Sequence, residues 1–209
     1  GLYCQSCEQY KTKDDLIDGK CAEHQVEPQI IKEESYFFKL SQFEKTLKKK
    51  IESGELEIRP SERKNEVLSF INRGLKDISI SRKAVSWGIP LPFDKDYTLY
   101  VWIDAFLNYL TGLGWDGKAG KAPEFFPPDI QLMSKDILRV HATIWPALLL
   151  ALELPLPKEI FVHGYFTVNG QKMSKSLGNV IWPEEMVEKF GIDGSRYLLM
   201  SSLAYGQDG

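Results

Sequence analysis

The chain is predicted to be an α/β protein organised around a parallel sheet. Three observations predict it. The second half alternates short apolar runs with helical stretches, the order that builds βαβ units. Polar and charged residues cluster where those runs end, and open parallel sheets take ligands at the carboxyl ends of their strands. After the last run comes a lysine-bearing loop, Val168-Asn169-Gly170-Gln171-Lys172-Met173-Ser174-Lys175-Ser176-Leu177-Gly178-Asn179-Val180, with turn pairs on both sides.

The size and charge narrow the classes. A chain of 209 residues supports one or two compact domains. Its 43% hydrophobic and 26% charged content is ordinary for a globular protein. The net charge of −3 does not mark a nucleic-acid binder, so any RNA contact has to be local. The longest apolar run, Ile144 to Leu152, contains Trp145 and Pro146 and is too short to span a bilayer. No signal peptide is visible. Three cysteines is an odd number, which argues against a disulfide framework and fits a reducing, cytoplasmic setting. The abrupt Gly-Leu-Tyr-Cys start is expected to mark a piece of a longer protein.

Taken in order, the chain begins with Cys4-Gln5-Ser6-Cys7, followed after 13 residues by Cys21-Ala22-Glu23-His24. Two close pairs of soft ligands on tight turns have the layout of a closed, structural zinc knuckle. The intervening segment is charged, has little apolar material and turns at Asp18-Gly19, so a metal would replace a core there. Leu40, Phe43, Leu47 and Ile51 share one helix face and Gly54 ends that helix. Lys48 to Lys50 lie mostly on its solvated side. A second helix opens at Arg59-Pro60-Ser61 and ends near Gly74. Ile78 to Arg82 reads as a short strand, and Trp87-Gly88-Ile89-Pro90-Leu91-Pro92 as a rigid extended loop.

From Tyr97 the α/β alternation starts. Tyr97 to Ile103 is aromatic and β-branched, predicting a buried strand, with Asp104 capping a helix through Tyr109. Ile130 to Met133 predicts a second strand, and Asp136 begins a long apolar helix with His141, Trp145 and Pro146. Ile160-Phe161-Val162 is a third strand, leading into His163-Gly164 and the lysine loop. Trp102, Asp104, Ser134, Asp136, His163 and Gly164 sit at the predicted strand ends. In the loop, Asn-Gly favours a tight reversal because both residues tolerate positive φ. Lysines, hydroxyls and backbone N–H groups on such a turn suit a polyphosphate. Beyond it, Pro183-Glu184-Glu185 opens a helix that Gly191 closes, and Asp193 caps another.

The zinc pairs, Ile80-Ser81-Arg82, Trp87-Gly88-Ile89-Pro90, Tyr100-Val101-Trp102-Ile103-Asp104-Ala105, Lys135-Asp136-Ile137, Phe161-Val162-His163-Gly164 and Lys172-Met173-Ser174-Lys175-Ser176 occur in the order seen in methionyl-tRNA synthetases. The chain resembles that family of class I aminoacyl-tRNA synthetases over essentially its whole length, and most nearly the bacterial form with one zinc. The resemblance implies the second half of a Rossmann-like parallel sheet. A zinc-knuckle connective insertion would precede it, and the start of a helical stem-contact region would follow. The implied segments are 1–78 for the insertion, 79–168 for the sheet half, and 169–209 for the lysine loop and stem-contact start. It implies a methionine pocket from Trp102, Ala105, Tyr109, Ile137, His141 and Trp145. Periodicity supports part of this, since Ile137, His141 and Trp145 fall on one helix face and Ala105 with Tyr109 on another. An aromatic box with one imidazole and one phenol suits a thioether. Lys172, Lys175, Arg82 and Asp136 are implied as the catalytic set. Asp136, His163, Gly164, Phe166 and Lys175 are implied for ATP, with Mg²⁺ accompanying the nucleotide. Cys4, Cys7, Cys21 and His24 would hold Zn²⁺.

The implied activity is ATP-dependent activation of methionine and its transfer to tRNA(Met), with no membrane partner. The sequence does not state an oligomeric state. It departs from the family pattern in lacking the first strand with its His-x-Gly-His signature and the anticodon-binding domain. Ser134 and Phe106 also stand where other residue types are usual. The 209-residue chain alone is therefore expected not to activate methionine. Two alternatives stay open at this point: another class I synthetase, or a non-catalytic zinc-ribbon RNA-binding module formed by the knuckle and the lysine-rich helix.

Overall fold

A computed structural model describes all residues except 7–8, 12–14, 23, 31–33, 84, 86, 176–177 and 203–205, and only the backbone of residues 9 and 10. In chain order the described elements are β1 (Leu2–Cys4), β2 (Gln9–Lys11), β3 (Leu16–Ile17), β4 (Lys20–Cys21), β5 (Gln29–Ile30), β6 (Phe37–Phe38), a 3₁₀ turn (Leu40–Phe43), α1 (Glu44–Glu52), β7 (Glu57–Arg59), α2 (Ser61–Asn72), β8 (Ile78–Ser79), β9 (Ser81–Arg82), β10 (Thr98–Leu99), α3 (Val101–Thr111), β11 (Ile130–Ser134), α4 (Leu138–Ala151), β12 (Glu159–His163), β13 (Thr167–Val168), β14 (Gln171–Lys172) and α5 (Pro183–Ser202). They form two packing units, residues 1–37 with 79–100, and residues 38–78 with 101–209. These units divide the chain differently from the three segments that the resemblance implies.

The first unit is built from short antiparallel strands. β1 pairs with β2 on one side and β5 on the other. β3 and β4 form a hairpin whose two turn residues, Asp18 and Gly19, both have positive φ (50° and 78°). That is the geometry the Asp-Gly pair predicts. β9 pairs antiparallel with β10, and a bridge from Pro90 to Thr98 carries the Trp87–Pro92 loop back against it.

The second unit is the α/β part. β11 and β12 run parallel in the register Ile130↔Glu159 to Ser134↔His163, joined through α4. This βαβ unit matches the expectation. The third strand does not. It is β7, pairing parallel with β12 from Glu57↔Glu159 to Phe161↔Arg59, so the sheet order is β11-β12-β7. Tyr97–Ile103 is a correction: only Thr98–Leu99 is extended, it pairs antiparallel with β9, and Val101, Trp102 and Ile103 begin α3. Ile103, Phe106 and Leu110 explain the difference. They are the buried residues of α3, spaced as one helix stripe, and burying that stripe outweighs the strand preference of the aromatic run.

The sheet has one packed face. Gln131, Met133, Ile160, Val162 and Ile58 are buried, while Ile130 and Leu132 point the other way and are exposed. This is the alternation a half-covered sheet requires. α2 packs on β7 and α4 on β12, and α1, α2 and α4 pack together. Leu47, Ile51, Val67, Ile71, Leu138 and Leu149 fill the space between them. Gly54 and Gly74 adopt positive φ just past α1 and α2, as helix-ending glycines do. Within α5, Gly191 has φ 70° and ψ 171°, so two helices meet there, as the sequence predicts. Among the described residues no helix is long and apolar enough to cross a membrane.

Candidate active site on the nucleotide-type sheet

Ser134 and His163 close β11 and β12 side by side, and the residues that follow them carry the polar chemistry. Asp136 accepts from Ser134 Oγ and from Lys172 Nζ, the latter at 3.2 Å. Burial pushes the Asp136 carboxyl up, but the two donors outweigh it and hold it below its ordinary value. Lys172 is the mirror case. Burial pulls its ammonium down, and the Asp136 hydrogen bond and charge more than restore it. His163 Nδ1 lies 2.7 Å from the Gly164 carbonyl. The Cα hydrogen side of Gly164 is closed by the Gln207 carbonyl, with which a Cβ there would collide.

The lysine loop is a two-residue hairpin. β13 and β14 pair Thr167↔Lys172 and Val168↔Gln171, and the turn residues Asn169 and Gly170 have φ 53° and 76°. Asn179 ties the far side down, accepting from Ser174 N at 2.9 Å and donating to the Lys172 carbonyl at 3.1 Å. Met173 N donates to the Phe166 carbonyl at 3.0 Å, and Gly178 N donates to the Lys175 carbonyl at 3.2 Å. Ser176 lies outside the described residues. Among the described residues Lys175 makes no ion pair, unlike Lys172.

α3 and α4 bring four of the six predicted pocket residues together. Tyr109 Oη lies 3.0 Å from His141 Nε2, and His141 Nδ1 lies 2.9 Å from the Ile137 carbonyl. Trp102 stands edge-on to His141 at 6.5 Å, and Tyr109 lies 5.6 Å from Trp145. Ile137 contributes its carbonyl at the start of α4. Ala105 is exposed on α3. Phe106, which the resemblance does not place among the pocket residues, is buried and central: it stacks on Trp145 at 5.6 Å and meets His141 edge-on at 5.0 Å. Its position on the Ile103–Leu110 stripe is the signal that finds it. An open cavity of about 370 Å³ is lined by Tyr109, Phe125, Phe126 and Leu132, sharing only Tyr109 with the six predicted pocket residues.

Burial holds His141 below its ordinary pKa and Tyr109 above its own. His141 therefore binds fewer protons folded than unfolded. Its contribution to stability is expected to fall as pH drops below about 6.5, where the unfolded imidazole charges first. An NMR titration should show the His141 ring taking up its proton at lower pH than an ordinary imidazole, and His141→Gln should flatten stability between pH 5 and pH 7, a range on the order of the ordinary imidazole transition.

In the first unit, Arg82 Nη1 donates to Ser79 Oγ and to the Ser81 carbonyl, both at 2.8 Å, and its guanidinium lies 4.1 Å from the centre of the Tyr100 ring. Cys4 and Cys21 are buried and not disulfide-bonded. Their sulfurs and a ring nitrogen of His24 all lie within 4.8 Å of one another. β4 and the turn after it place two of these donors, with Gln25 N donating to the Cys21 carbonyl at 2.8 Å. Cys7 lies outside the described residues.

Comparison with known proteins gives these motifs a family. The model for tRNA synthetases class I (M) matches residues 1–209. The methionine–tRNA ligase of Caldanaerobacter subterraneus subsp. tengcongensis is 44% identical over all of this chain, and that of Streptomyces coelicolor 42%. The Mycobacterium tuberculosis methionyl-tRNA synthetase in complex with methionyl-adenylate superposes with a TM-score of 0.88 at 38% identity over the full chain. The chain spans 33% and 40% of the two ligases' lengths and 42% of the superposed structure. With residues 1–209 matched, the chain belongs to the class I (M) family of tRNA synthetases.

Proposed function

We propose that this chain is the part of a methionine–tRNA ligase that holds the amino-acid side chain and one side of the nucleotide. The observation that carries the reading is the Tyr109–His141 pair inside the aromatic group of Trp102, Phe106 and Trp145. A soft, weakly accepting thioether fits beside one phenol and one neutral imidazole among rings. The substrates are methionine, ATP as its Mg²⁺ complex, and tRNA(Met). Methionine's carboxylate attacks the α-phosphorus, the bond to the bridging oxygen breaks, and pyrophosphate leaves. A ribose hydroxyl at the tRNA 3′ end then takes the methionyl group and AMP departs.

The chain's own residues supply position and charge. Lys172 and Lys175 stabilise the negative charge growing on pyrophosphate. Asp136 orders Lys172 and the ribose. His163, Gly164 and Phe166 line the adenine side, with the nucleotide kept off the Gly164 face that Gln207 occupies. Arg82 is the fourth member of the proposed catalytic set. In segment terms, residues 1–78 form the insertion, 79–168 the sheet half, and 169–209 the loop and stem-contact start. The test is methionine-dependent exchange of pyrophosphate into ATP by the intact protein. Exchange that leucine or cysteine supports equally well would overturn the reading.

The donor set Cys4, Cys21 and His24 fits zinc. Two buried thiols and an imidazole lie within 4.8 Å of one another, and a tetrahedral zinc site draws such ligands to roughly 3.5–4 Å apart. Cys7 completes the four in our reading. A closed site of this kind supplies folding free energy to a segment with little core. Protein purified without chelator should carry about one zinc per chain, and Cys21→Ser should lose both the metal and the hairpin β3–β4, read as zinc content and amide exchange. The cysteines remain available as ligands in a reducing compartment, and we place the activity in the cytoplasm on that ground.

A further inference from the structure

Four residues after α5 return to the base of the lysine hairpin. Tyr165 N donates to Asp208 Oδ1 at 2.8 Å, Gly209 N donates to the Tyr165 carbonyl at 3.1 Å, and Thr167 N donates to Gly209 O at 2.6 Å. Thr167 Oγ1 also donates to Gly209 O, at 3.1 Å. Lys135 Nζ reaches both Asp208 oxygens, at 2.8 and 2.7 Å. The approach is close enough to require glycine twice. A Cβ at Gly164 would strike Gln207, and one at Gly206, which also has φ 72°, would lie 2.6 Å from Pro60 Cγ.

Tyr165 links this strap to the loop. Lys135 Nζ lies 4.3 Å from the centre of its ring and Lys172 Nζ 4.0 Å. Each lysine has its own carboxylate, Asp208 for Lys135 and Asp136 for Lys172. The result is a chain of contacts, Asp208–Lys135–Tyr165–Lys172–Asp136, with a carboxylate at each end and a cation on either side of the ring, and its first link joins residues 73 apart in sequence. An exposed ion pair alone contributes little. Here the carboxylate also accepts a backbone N–H, and the ring it fixes carries the second cation. The Lys135 hydrogen bond, with that from the Tyr165 N–H, holds the Asp208 carboxyl below its ordinary range.

We propose that Asp208 is a positioning residue for the proposed reaction: it pins Tyr165–Thr167, and through the Tyr165 ring it sets where Lys172 rests before phosphate binds. This rests on the methionine-activating reading only for its catalytic consequence. The placement of the hairpin stands apart from it.

The test uses the intact protein with Asp208→Asn, Asp208→Glu and Tyr165→Leu. Amide exchange across residues 165–173 and acetylation of Lys172, both followed by mass spectrometry, should rise severalfold in Asp208→Asn and Tyr165→Leu. Asp208→Glu should recover part of the protection. In pyrophosphate exchange, kcat should fall about tenfold to hundredfold for Asp208→Asn while the methionine KM holds, as expected for a shifted cation rather than a damaged pocket. Unchanged hairpin exchange and Lys172 labelling, with only Lys135 more reactive, would overturn the proposal. If Asp208→Asn unfolds, Tyr165→Leu decides on the same two readouts. Protection that responds as expected in a protein with no methionine-dependent exchange would sink the functional reading and leave the positioning role standing.

Discussion

Trp145→Ala is expected to lower the unfolding free energy by about 3–5 kcal/mol. The indole is fully buried on α4. It stacks on Phe106 at 5.6 Å, tilts against Tyr109 at 5.6 Å and meets Phe126 edge-on at 6.3 Å. Removing it opens a cavity between α3, α4 and the Phe126 turn, and the flanking rings are too large to collapse into it. Trp145→Phe should cost far less. It keeps the stacked ring and removes an indole N–H that has no hydrogen-bond partner among the described residues. Urea denaturation of both variants measures this. A loss under about 1 kcal/mol for Trp145→Ala would mean that the aromatic group is not a packed unit.

Lys175→Ala should lower kcat for methionine activation about 10²–10³-fold while leaving the methionine KM nearly unchanged. The reason is a difference between the two lysines of the loop. Lys172 is already held by Asp136 and by the Tyr165 ring. Lys175 has no ion pair among the described residues, and its charge is free for a ligand. A cation that engages only the developing pyrophosphate acts on the transition state, so its loss appears in kcat. Lys172→Ala should cost less in kcat and also weaken the hairpin, because it removes a charge that is partly neutralised at rest. Steady-state pyrophosphate exchange with the intact protein distinguishes them. Equal losses for both, carried in the methionine KM, would reverse the assignment.

The parts of this molecule legible from sequence are those fixed by neighbours along the chain. The Asn169-Gly170 reversal follows from two residues that tolerate positive φ, and the hairpin register follows from it. The common face of Ile137, His141 and Trp145 follows from helix periodicity. The break at Gly191 follows from the same kind of local rule. What the sequence hid depends on distant pairing. β7 is three residues between two helical signals, and only its partner β12 makes it a strand. Val101 to Ile103 carry strand-like side chains, yet they serve the buried stripe that runs on to Phe106 and Leu110. Asp208 carries no local mark at all, because its role is defined by Lys135 and Tyr165.

The pairing of β7 with β12 also sets a timetable for synthesis. Glu57 lies opposite Glu159, and 159 − 57 puts them 102 positions apart in sequence. At about 5–20 residues per second, a ribosome needs roughly 5–20 s to make that stretch. During that time Ile58, buried in the finished sheet, is without its partner strand β12. The central strand β12 arrives last, and its two neighbours are already waiting when it does. Closing so long a loop is entropically costly before it is rewarded. A nascent chain of this protein therefore emerges with its helices formed early and its sheet completed in one late step.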